Sequence, residues 1–279
     1  MKFPLPHIHP PQAEHTHTIV LLHGRASDGP EFAEELFSSL TSKNKTLLDC
    51  LPNLRWVFPT SRNRWSALFQ EEMCSWFDAY SLTNINELQE LQIDGLKESV
   101  AHILDILDVE IRLLNGKADH VYLGGISQGM ATALWTVFCA VGRIDRPIGG
   151  ILGFCGWLPF ANEIEALIAR SKDDGASPSK GQIGRLISDF CRDTIGRAQD
   201  RQEPAPGNQD DLPILASKIL LGHGTDDVWI SVELGQQARR VMEEVSGHVG
   251  WMQYSGAEGE GHWIKEPEGF DRILEFLEG

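Results

Sequence analysis

The stretch 120–132, HVYLGGISQGMAT, constrains the fold more than any other part of the chain. Its first residues predict a short apolar strand, which runs through a glycine-rich turn into the apolar, helix-compatible residues 130–141. Residues 125–129 match the pattern G-x-S-x-G, in which a serine stands on a sharp strand-to-helix turn. Larger side chains two residues either side of Ser127 would clash, which explains the glycines. The sequence therefore places Ser127 at a helix N-terminus, where unpaired N–H groups favour negative charge.

Strand and helix patterns alternate along the rest of the chain. Continuous apolar runs predict strands at 18–22, 54–59, 147–157, 212–222 and 250–254. Apolar residues at helical spacing predict helices at 31–40, 85–114, 162–169, 231–246 and 268–277, with Gly95 as a candidate break in the second. This alternation predicts an α/β fold with a mostly parallel central sheet flanked by helices.

Two segments depart from the alternation, although we expect a single domain over 1–279. Residues 1–17 are rich in Pro and His and predict a flexible arm. Its histidines suggest a metal site, but the segment has no cluster of Cys or carboxylate residues to complete one. Residues 171–211 are an insertion with linker-like ends around a short amphipathic helix at 183–195. Two interpretations of the insertion stay open: a surface segment packed on the body, and a small helical lid over the pocket.

Charge and cysteine content exclude several classes of partner. The chain has 24 basic and 40 acidic residues, a formal net charge of −16, which disfavours nucleic acid and anionic membrane surfaces. No apolar run reaches the length of a bilayer span, so stable membrane insertion is not expected. The N-terminus has prolines and histidines where a signal peptide would carry its apolar region. Five cysteines without paired spacing predict reduced thiols in a cytoplasmic protein.

A nucleophilic serine needs a base, and the base needs an acid that orients it. Asp226 and Asp227 follow the predicted strand at 212–222, and His262 lies in a glycine-rich loop after the last strand. Ser, Asp and His then follow one another in the order found in α/β-hydrolases. Spacing alone does not choose between Asp226 and Asp227. His223 is better suited to shaping its turn than to acting as a base.

Seven short motifs follow the predicted strands: LHG at 22–24 with Gly29, FP at 58–59, SWFD at 75–78, GGISQG at 124–129, GWLP at 156–159, HGxxD at 223–227 and GH at 261–262. Together they span residues 18–170 and 212–279. As a set they resemble the acyl-protein thioesterase/carboxylesterase (phospholipase/carboxylesterase) family of α/β-hydrolases, which includes lysophospholipase-like enzymes.

The resemblance assigns roles to particular residues. It implies that Ser127 is the nucleophile, Asp227 the acid and His262 the base, and that the backbone N–H groups of Arg25 and Gln128 form the oxyanion hole. The family usually has leucine where this chain has Arg25, and the insertion at 171–211 is longer than its usual connection. Both departures bear on the substrate more than on the mechanism.

The resemblance implies a serine hydrolase that cleaves carboxylic esters or thioesters through an acyl-serine intermediate. Its substrate would be a small-molecule ester or an acylated protein, and no cofactor or metal is implied. A lysophospholipase-like lipid hydrolase and a catalytically silent α/β-hydrolase used as a binding module are the alternatives. Trp76, Trp157 and Trp229 are candidate substrate-binding walls. The oligomeric state stays open, with a dimer as one alternative.

Overall fold

The computed structural model describes residues 2–173, 177–196 and 212–279. Seven of its strands form one sheet in the order β1-β3-β2-β6-β7-β8-β9, and β4 and β5 form a separate hairpin. The strands are β1 (His7–His9), β2 (His17–Leu22), β3 (Leu54–Phe58), β4 (Arg62–Ser66), β5 (Glu71–Ser75), β6 (Val121–Ile126), β7 (Gly150–Phe154), β8 (Ile219–Gly224) and β9 (Val249–Tyr254).

All neighbouring strands of the large sheet are parallel except β1, which pairs antiparallel with β3 at one edge. Every residue of β6, β7 and β8 is buried. Strands covered on both faces need apolar side chains throughout, which explains the continuous apolar runs in the sequence. The predicted mostly parallel sheet is confirmed.

Helices cover both faces of this sheet. They are α1 (Gly29–Ser38), α2 (Leu47–Cys50), α3 (Gln92–Leu113), α4 (Gln128–Ala140), α5 (Ala161–Asp173), α6 (Lys180–Thr194), α7 (Val232–Val245) and α8 (Glu268–Glu278). Helices α3 to α7 share one apolar core with the sheet, and α1, α2 and α8 share the other. No helix in the described ranges is both long and apolar enough to cross a bilayer.

The predicted flexible arm is wrong for most of its length. His7 to His9 pair with 56–58 of β3, and the N–H groups of Gln12 and Ala13 both donate to Pro52 O. The edge of β3 offers unpaired backbone groups, and the N-terminal segment satisfies them. Residues 7–13 are therefore held against this edge of the sheet.

Three further element boundaries differ from the prediction. The region 60–80, for which the sequence pattern predicts neither a strand nor a helix, contains the β4–β5 hairpin. Helix α3 begins at Gln92 and is not broken at Gly95, where a Cβ would collide with the Cα of Phe77. The glycine serves close packing rather than a break. The predicted strand at 212–222 begins only at Ile219, after a 3₁₀ turn at Pro213–Ala216.

The amphipathic helix of the insertion is α6, and it packs on the body of the protein. Its buried residues Ile183, Ile187 and Cys191 belong to the core shared with α4, α5 and α7. Ser179 is the N-cap of this helix and forms a capping box with Gln182. The remainder of the insertion, residues 174–176 and 197–211, lies outside the described residues.

Candidate active site

Three strand ends bring the candidate residues to one edge of the sheet. Ser127 follows β6 directly, Asp227 lies three residues beyond β8, and His262 lies in the loop between β9 and α8. In parallel α/β sheets, the loops beyond the carboxyl ends of the strands form the ligand crevice. The three residues therefore share this crevice although 135 positions separate the first from the last.

The backbone at Ser127 is strained in the way the sequence predicts. Its φ is 54° and its ψ is −122°, a combination that non-glycine residues rarely adopt. The N–H of Ser127 donates to Phe154 O at 2.8 Å and so ties the turn to β7. A Cβ at Gly129 would collide with Leu22 O of the neighbouring strand, and one at Gly125 would lie 2.6 Å from the Gly129 carbonyl carbon. Both glycines are required by close backbone approach.

His262 is oriented by Asp227. Its Nδ1 lies 2.7 Å from Asp227 Oδ2, and its side chain is 20% exposed whereas that of Asp227 is fully buried. A carboxylate only accepts hydrogen bonds, so Nδ1 carries the proton and Nε2 keeps a free lone pair. A neutral imidazole in this tautomer can accept a proton from a hydroxyl group.

Asp227 receives more hydrogen bonds than this one. Its Oδ1 accepts the N–H groups of Trp229 and Ile230, each at 2.9 Å, and His223 Nε2 lies 3.2 Å from Oδ2. Burial alone would raise the pKa of Asp227, but the hydrogen bonds from His223 and His262 outweigh it and hold the pKa well below its usual range. The carboxylate therefore stays ionised beside the imidazole.

The choice between the two aspartates that spacing left open has a clear geometric answer. Asp226 Oδ2 accepts the N–H of Gly256 at 2.7 Å and faces solvent, so it holds the β9 loop instead of the histidine. Of the two aspartates, only Asp227 contacts the His262 ring.

A cavity of about 500 Å³ opens at Ser127 and His262, both of which line it. Among the described residues, no hydrogen bond joins Ser127 Oγ to the His262 ring. Such bonds are often long in enzymes without substrate and shorten when substrate binds. None of the described residues of α6 lines this cavity, which favours the interpretation of that helix as a segment packed on the body. Its apolar face needs a partner, and α4 supplies it.

The two predicted oxyanion donors also line the cavity. Gln128 is the first residue of α4, so its backbone N–H stands at a helix N-terminus, and Arg25 lies in the loop between β2 and α1. This loop passes close to Ser127: a Cβ at Gly24 would lie 3.5 Å from Ser127 Cβ. Backbone donors at these two positions can stabilise charge that develops on an oxygen beside Ser127.

The side chain of Gln128 has a role that the sequence did not indicate. Its Oε1 accepts the N–H of Trp76 at 2.9 Å, and its Nε2 donates to Phe77 O at 2.6 Å. These bonds attach the segment after β5 to the start of α4. Nothing in the sequence indicates this role, because the two motifs become neighbours only in the folded structure.

His23 supports the β2–α1 loop from inside the protein. It is fully buried; Nδ1 lies 2.6 Å from Gly24 O, and Nε2 accepts the N–H of Ser61 at 3.0 Å. Burial lowers the pKa of His23 to about 4, against a smaller opposing effect of the Gly24 carbonyl and Asp28. It is therefore neutral at pH 7 and structural.

The three tryptophans predicted as cavity walls have different positions. Trp157 and Trp229 line the cavity, the first buried and the second half-exposed. Trp76 does not: it is fully buried, and its Nε1–H donates to His23 O at 2.9 Å. A buried indole needs an acceptor for its N–H, and the loop backbone provides one. The assignment of Trp76 to substrate binding is wrong.

Further cavity residues were missing from the prediction. Four of the apolar ones are Phe32, Phe69, Met73 and Trp263. Phe69 and Met73 belong to the β4–β5 hairpin, whose strands are too polar to be recognised by pattern. Trp263 directly follows His262, so its position in sequence was the one available signal.

Cys155 lies behind the Asp227–His262 pair. Its Sγ, an Asp227 oxygen and a His262 nitrogen all lie within 4.8 Å of one another, so these residues could together ligate a metal ion. Burial raises the pKa of the Cys155 thiol to about 12, although hydrogen bonds from Tyr254 and Gly224 oppose it. The thiol would have to lose a proton to serve as ligand or nucleophile. All five cysteines are free thiols, as the sequence predicts.

The sheet order, the strained serine and the buried acid–histidine pair define an α/β-hydrolase fold with a candidate hydrolytic site. The family profile described as Phospholipase/Carboxylesterase matches residues 4–173, more than half of the chain. The chain therefore belongs to the phospholipase/carboxylesterase family, as the motifs predict.

Sequence relatives agree with this membership. The chain is 26% identical over 161 residues to acyl-protein thioesterase 1 of Schizosaccharomyces pombe, covering 57% of this chain and 64% of that protein. It is 24% identical over 261 residues to acyl-protein thioesterase 1 of Candida albicans, covering 93% and 90%. The match to the first of these spans just under two thirds of the relative's length.

Solved structures agree on the fold. Zea mays acyl-protein thioesterase 2 superposes with a TM-score of 0.66 at 24% identity, covering 98% of this chain and 97% of that one. Esterase PE8 gives a TM-score of 0.60 at 19% identity over similar shares, 98% and 97%. Both cover nearly the whole chain and confirm the predicted α/β-hydrolase fold.

Proposed function

We propose that this protein is a serine hydrolase that cleaves carboxylic esters or thioesters through an acyl-serine intermediate. One observation carries the proposal: the strained Ser127 and the Asp227-oriented His262 line the same cavity. Family membership supports it, because the relatives include proteins named acyl-protein thioesterases and esterases. The substrate is a small ester or an acylated protein.

In the proposed reaction, His262 Nε2 takes the proton from Ser127 Oγ as the oxygen attacks the carbonyl carbon. Asp227 stabilises the imidazolium that forms and keeps the ring in place. The backbone N–H groups of Arg25 and Gln128 receive the negative charge on the carbonyl oxygen. His262 then gives its proton to the departing alcohol or thiol.

The second half of the reaction reuses the same groups. Water enters the space left by the alcohol or thiol, and His262 removes its proton as it attacks the acyl-serine carbonyl. When the intermediate collapses, the bond between the carbonyl carbon and Ser127 Oγ breaks, the carboxylic acid leaves, and His262 returns the proton to Ser127 Oγ. The apolar walls of the cavity, with Trp157 buried among them, hold the acyl group meanwhile.

A panel of p-nitrophenyl esters from acetyl to octanoyl, run beside an acyl thioester, tests the proposal. We expect a pre-steady-state burst of p-nitrophenol equal to the enzyme concentration, because acylation releases it before deacylation. Ser127→Ala should lower kcat on the order of 10⁴-fold or more while the protein stays folded.

Ser188 offers a matched control. It is also a buried serine, but it lies on α6 and its hydroxyl has no hydrogen-bond partner among the described residues. Ser188→Ala should keep nearly all activity. A folded wild-type protein that hydrolyses none of the esters or the thioester would instead support a catalytically silent binding module.

A further inference from the structure

Arg25 places a cation in the wall of the cavity beside the candidate nucleophile. Its guanidinium lies 5.7 Å from the centre of the Phe69 ring, and Nη2 donates to Ala79 O at 3.1 Å. The residue lines the same cavity as Ser127 and His262. These two contacts fix the guanidinium on the side of the cavity formed by the β4–β5 hairpin.

One nitrogen of the guanidinium has no partner in the part of the chain that the structure describes. Arg25 Nη1 is buried and has no hydrogen-bond partner among the described residues. No described carboxylate lies within ion-pair distance of it. Asp78, whose charge acts on Arg25, directs both carboxylate oxygens at the N–H of Ala67. An unpaired buried donor on a charged group is costly, so this arrangement favours an acceptor supplied from outside.

The other charged residues of the cavity stand apart from Arg25. Glu35 lies on α1, and burial together with Glu31 and Glu34 raises its pKa. Glu71 is exposed at the start of β5. Neither forms an ion pair with Arg25, and most of the remaining wall is apolar. Arg25 is thus the one arginine or lysine among the described residues of the lining.

We propose that Arg25 recognises a carboxylate carried by the ester or thioester substrate a few bonds from the scissile carbonyl. The inference rests on the proposed hydrolase function. A planar guanidinium matches a carboxylate with two parallel hydrogen bonds, which a neutral chain end cannot form. Phe69, whose ring centre lies 5.7 Å from the guanidinium, is 47% exposed, so its side chain has room to rotate as a carboxylate approaches Arg25.

Two pairs of esters test this and separate the two sources of a carboxylate. Monomethyl glutarate carries the charge on the acyl side, and dimethyl glutarate is its neutral counterpart. Acetoxyacetic acid carries the charge on the alcohol side, and its methyl ester is the neutral counterpart. Initial rates give the kcat/KM ratio of the charged ester to the neutral one. Damage to the shared catalytic groups cancels in this ratio.

Arg25→Leu should lower the ratio on the order of 30-fold in one pair, the expected size for a lost charge-assisted hydrogen bond. The pair that responds shows whether the carboxylate lies on the acyl side or on the alcohol side of the substrate. Arg25→Lys should recover part of the ratio, since the charge stays and the bidentate geometry is lost. Arg112→Leu removes the same charge from the exposed end of α3 and should leave both ratios unchanged.

The inference would be overturned if the kcat/KM ratios of Arg25→Leu stay within twofold of those of the wild type for both pairs of esters. A wild type that hydrolyses p-nitrophenyl acetate but neither charged ester would also overturn it. A wild type inactive on every ester would overturn the proposed function itself. Calorimetry of glutarate binding to Ser127→Ala, with and without Arg25→Leu, gives a readout that needs no catalysis: loss of binding supports the assignment, and equal binding contradicts it.

Discussion

Two histidines contact Asp227, and they differ in what else they contact. His262 places Nδ1 2.7 Å from the carboxylate, is 20% exposed and lines the cavity. His223 also contacts this carboxylate, with Nε2 3.2 Å from Asp227 Oδ2, but its side chain has no exposed surface. The same Nε2 lies 2.9 Å from the carbonyl oxygen of Ile230. Contact with Asp227 therefore does not by itself make a histidine a candidate base. The histidine must also line the cavity, and of these two only His262 does.

Replacing each histidine in turn is the strongest test of whether the two have different roles. His262→Ala should lower kcat on the order of 10⁴-fold while the protein stays folded, because the proposed reaction loses its base. His223→Gln should lower kcat about tenfold or less and cost about 1–3 kcal/mol of unfolding free energy, because buried groups lose a partner. Ester hydrolysis and thermal unfolding measure both. Equal losses of activity in two folded variants would contradict the distinction.

The two adjacent aspartates provide the second test. Asp227→Asn should lower kcat on the order of 10⁴-fold, because an amide can hold the histidine in the wrong tautomer. Asp226→Asn should stay within about threefold of wild type, since that exposed side chain accepts only the Gly256 N–H among the described residues. The reverse ranking would mean that Asp226 is the acid.

A third histidine extends the comparison to stability. His23, like His223, is fully buried, and its pKa of about 4 lies below the unfolded value of 6.5. Below pH 6.5 the unfolded chain binds a proton that the folded protein refuses until about pH 4, so stability falls across that window. The loss reaches about 3 kcal/mol.

Urea unfolding of wild type and His23→Gln at pH 7.5 and pH 4.5 measures this contribution. The wild type should lose more stability on acidification than the variant does, because only the wild type carries this titrating group. An identical pH dependence in the two proteins would show that His23 is not buried in neutral form.

The smallest effect is expected at Cys155, which lies near the acid–histidine pair but outside the cavity lining. Its Sγ is 3.3 Å from the Tyr254 hydroxyl, and its raised pKa keeps it protonated at neutral pH. Cys155→Ser should keep kcat within about threefold, because a hydroxyl can replace the thiol in this contact. Near-complete loss of activity in a folded variant would give the cysteine a chemical role.

The sequence predicted the candidate site more completely than the elements around it. Ser127 and Asp227 each follow a strand in which every residue is buried, and glycines mark the turns at Ser127, Asp227 and His262. Burial on both faces produces that signal, because no polar residue is tolerated in such strands. The pattern fails where burial is partial.

The β4–β5 hairpin illustrates the failure. Its strands RNRWS and EEMCS are mostly polar, so neither period nor apolar content distinguishes them from a loop. Likewise β1 has three residues, and its pairing with β3 depends on an edge that the sequence does not display. The sequence also does not show that Trp76 is buried away from the cavity or that α6 packs on neighbouring helices, because both depend on contacts that form only in the tertiary structure.

Labelling with a fluorophosphonate probe tests the central claim most directly, because the probe reacts with a serine activated by a neighbouring base. Intact-mass spectrometry of the wild type should show one adduct, and peptide mapping should assign it to Ser127. Ser127→Ala should take up no label, and His262→Ala should react far more slowly. A folded wild-type protein that stays unlabelled, or one labelled at another serine, would contradict the account.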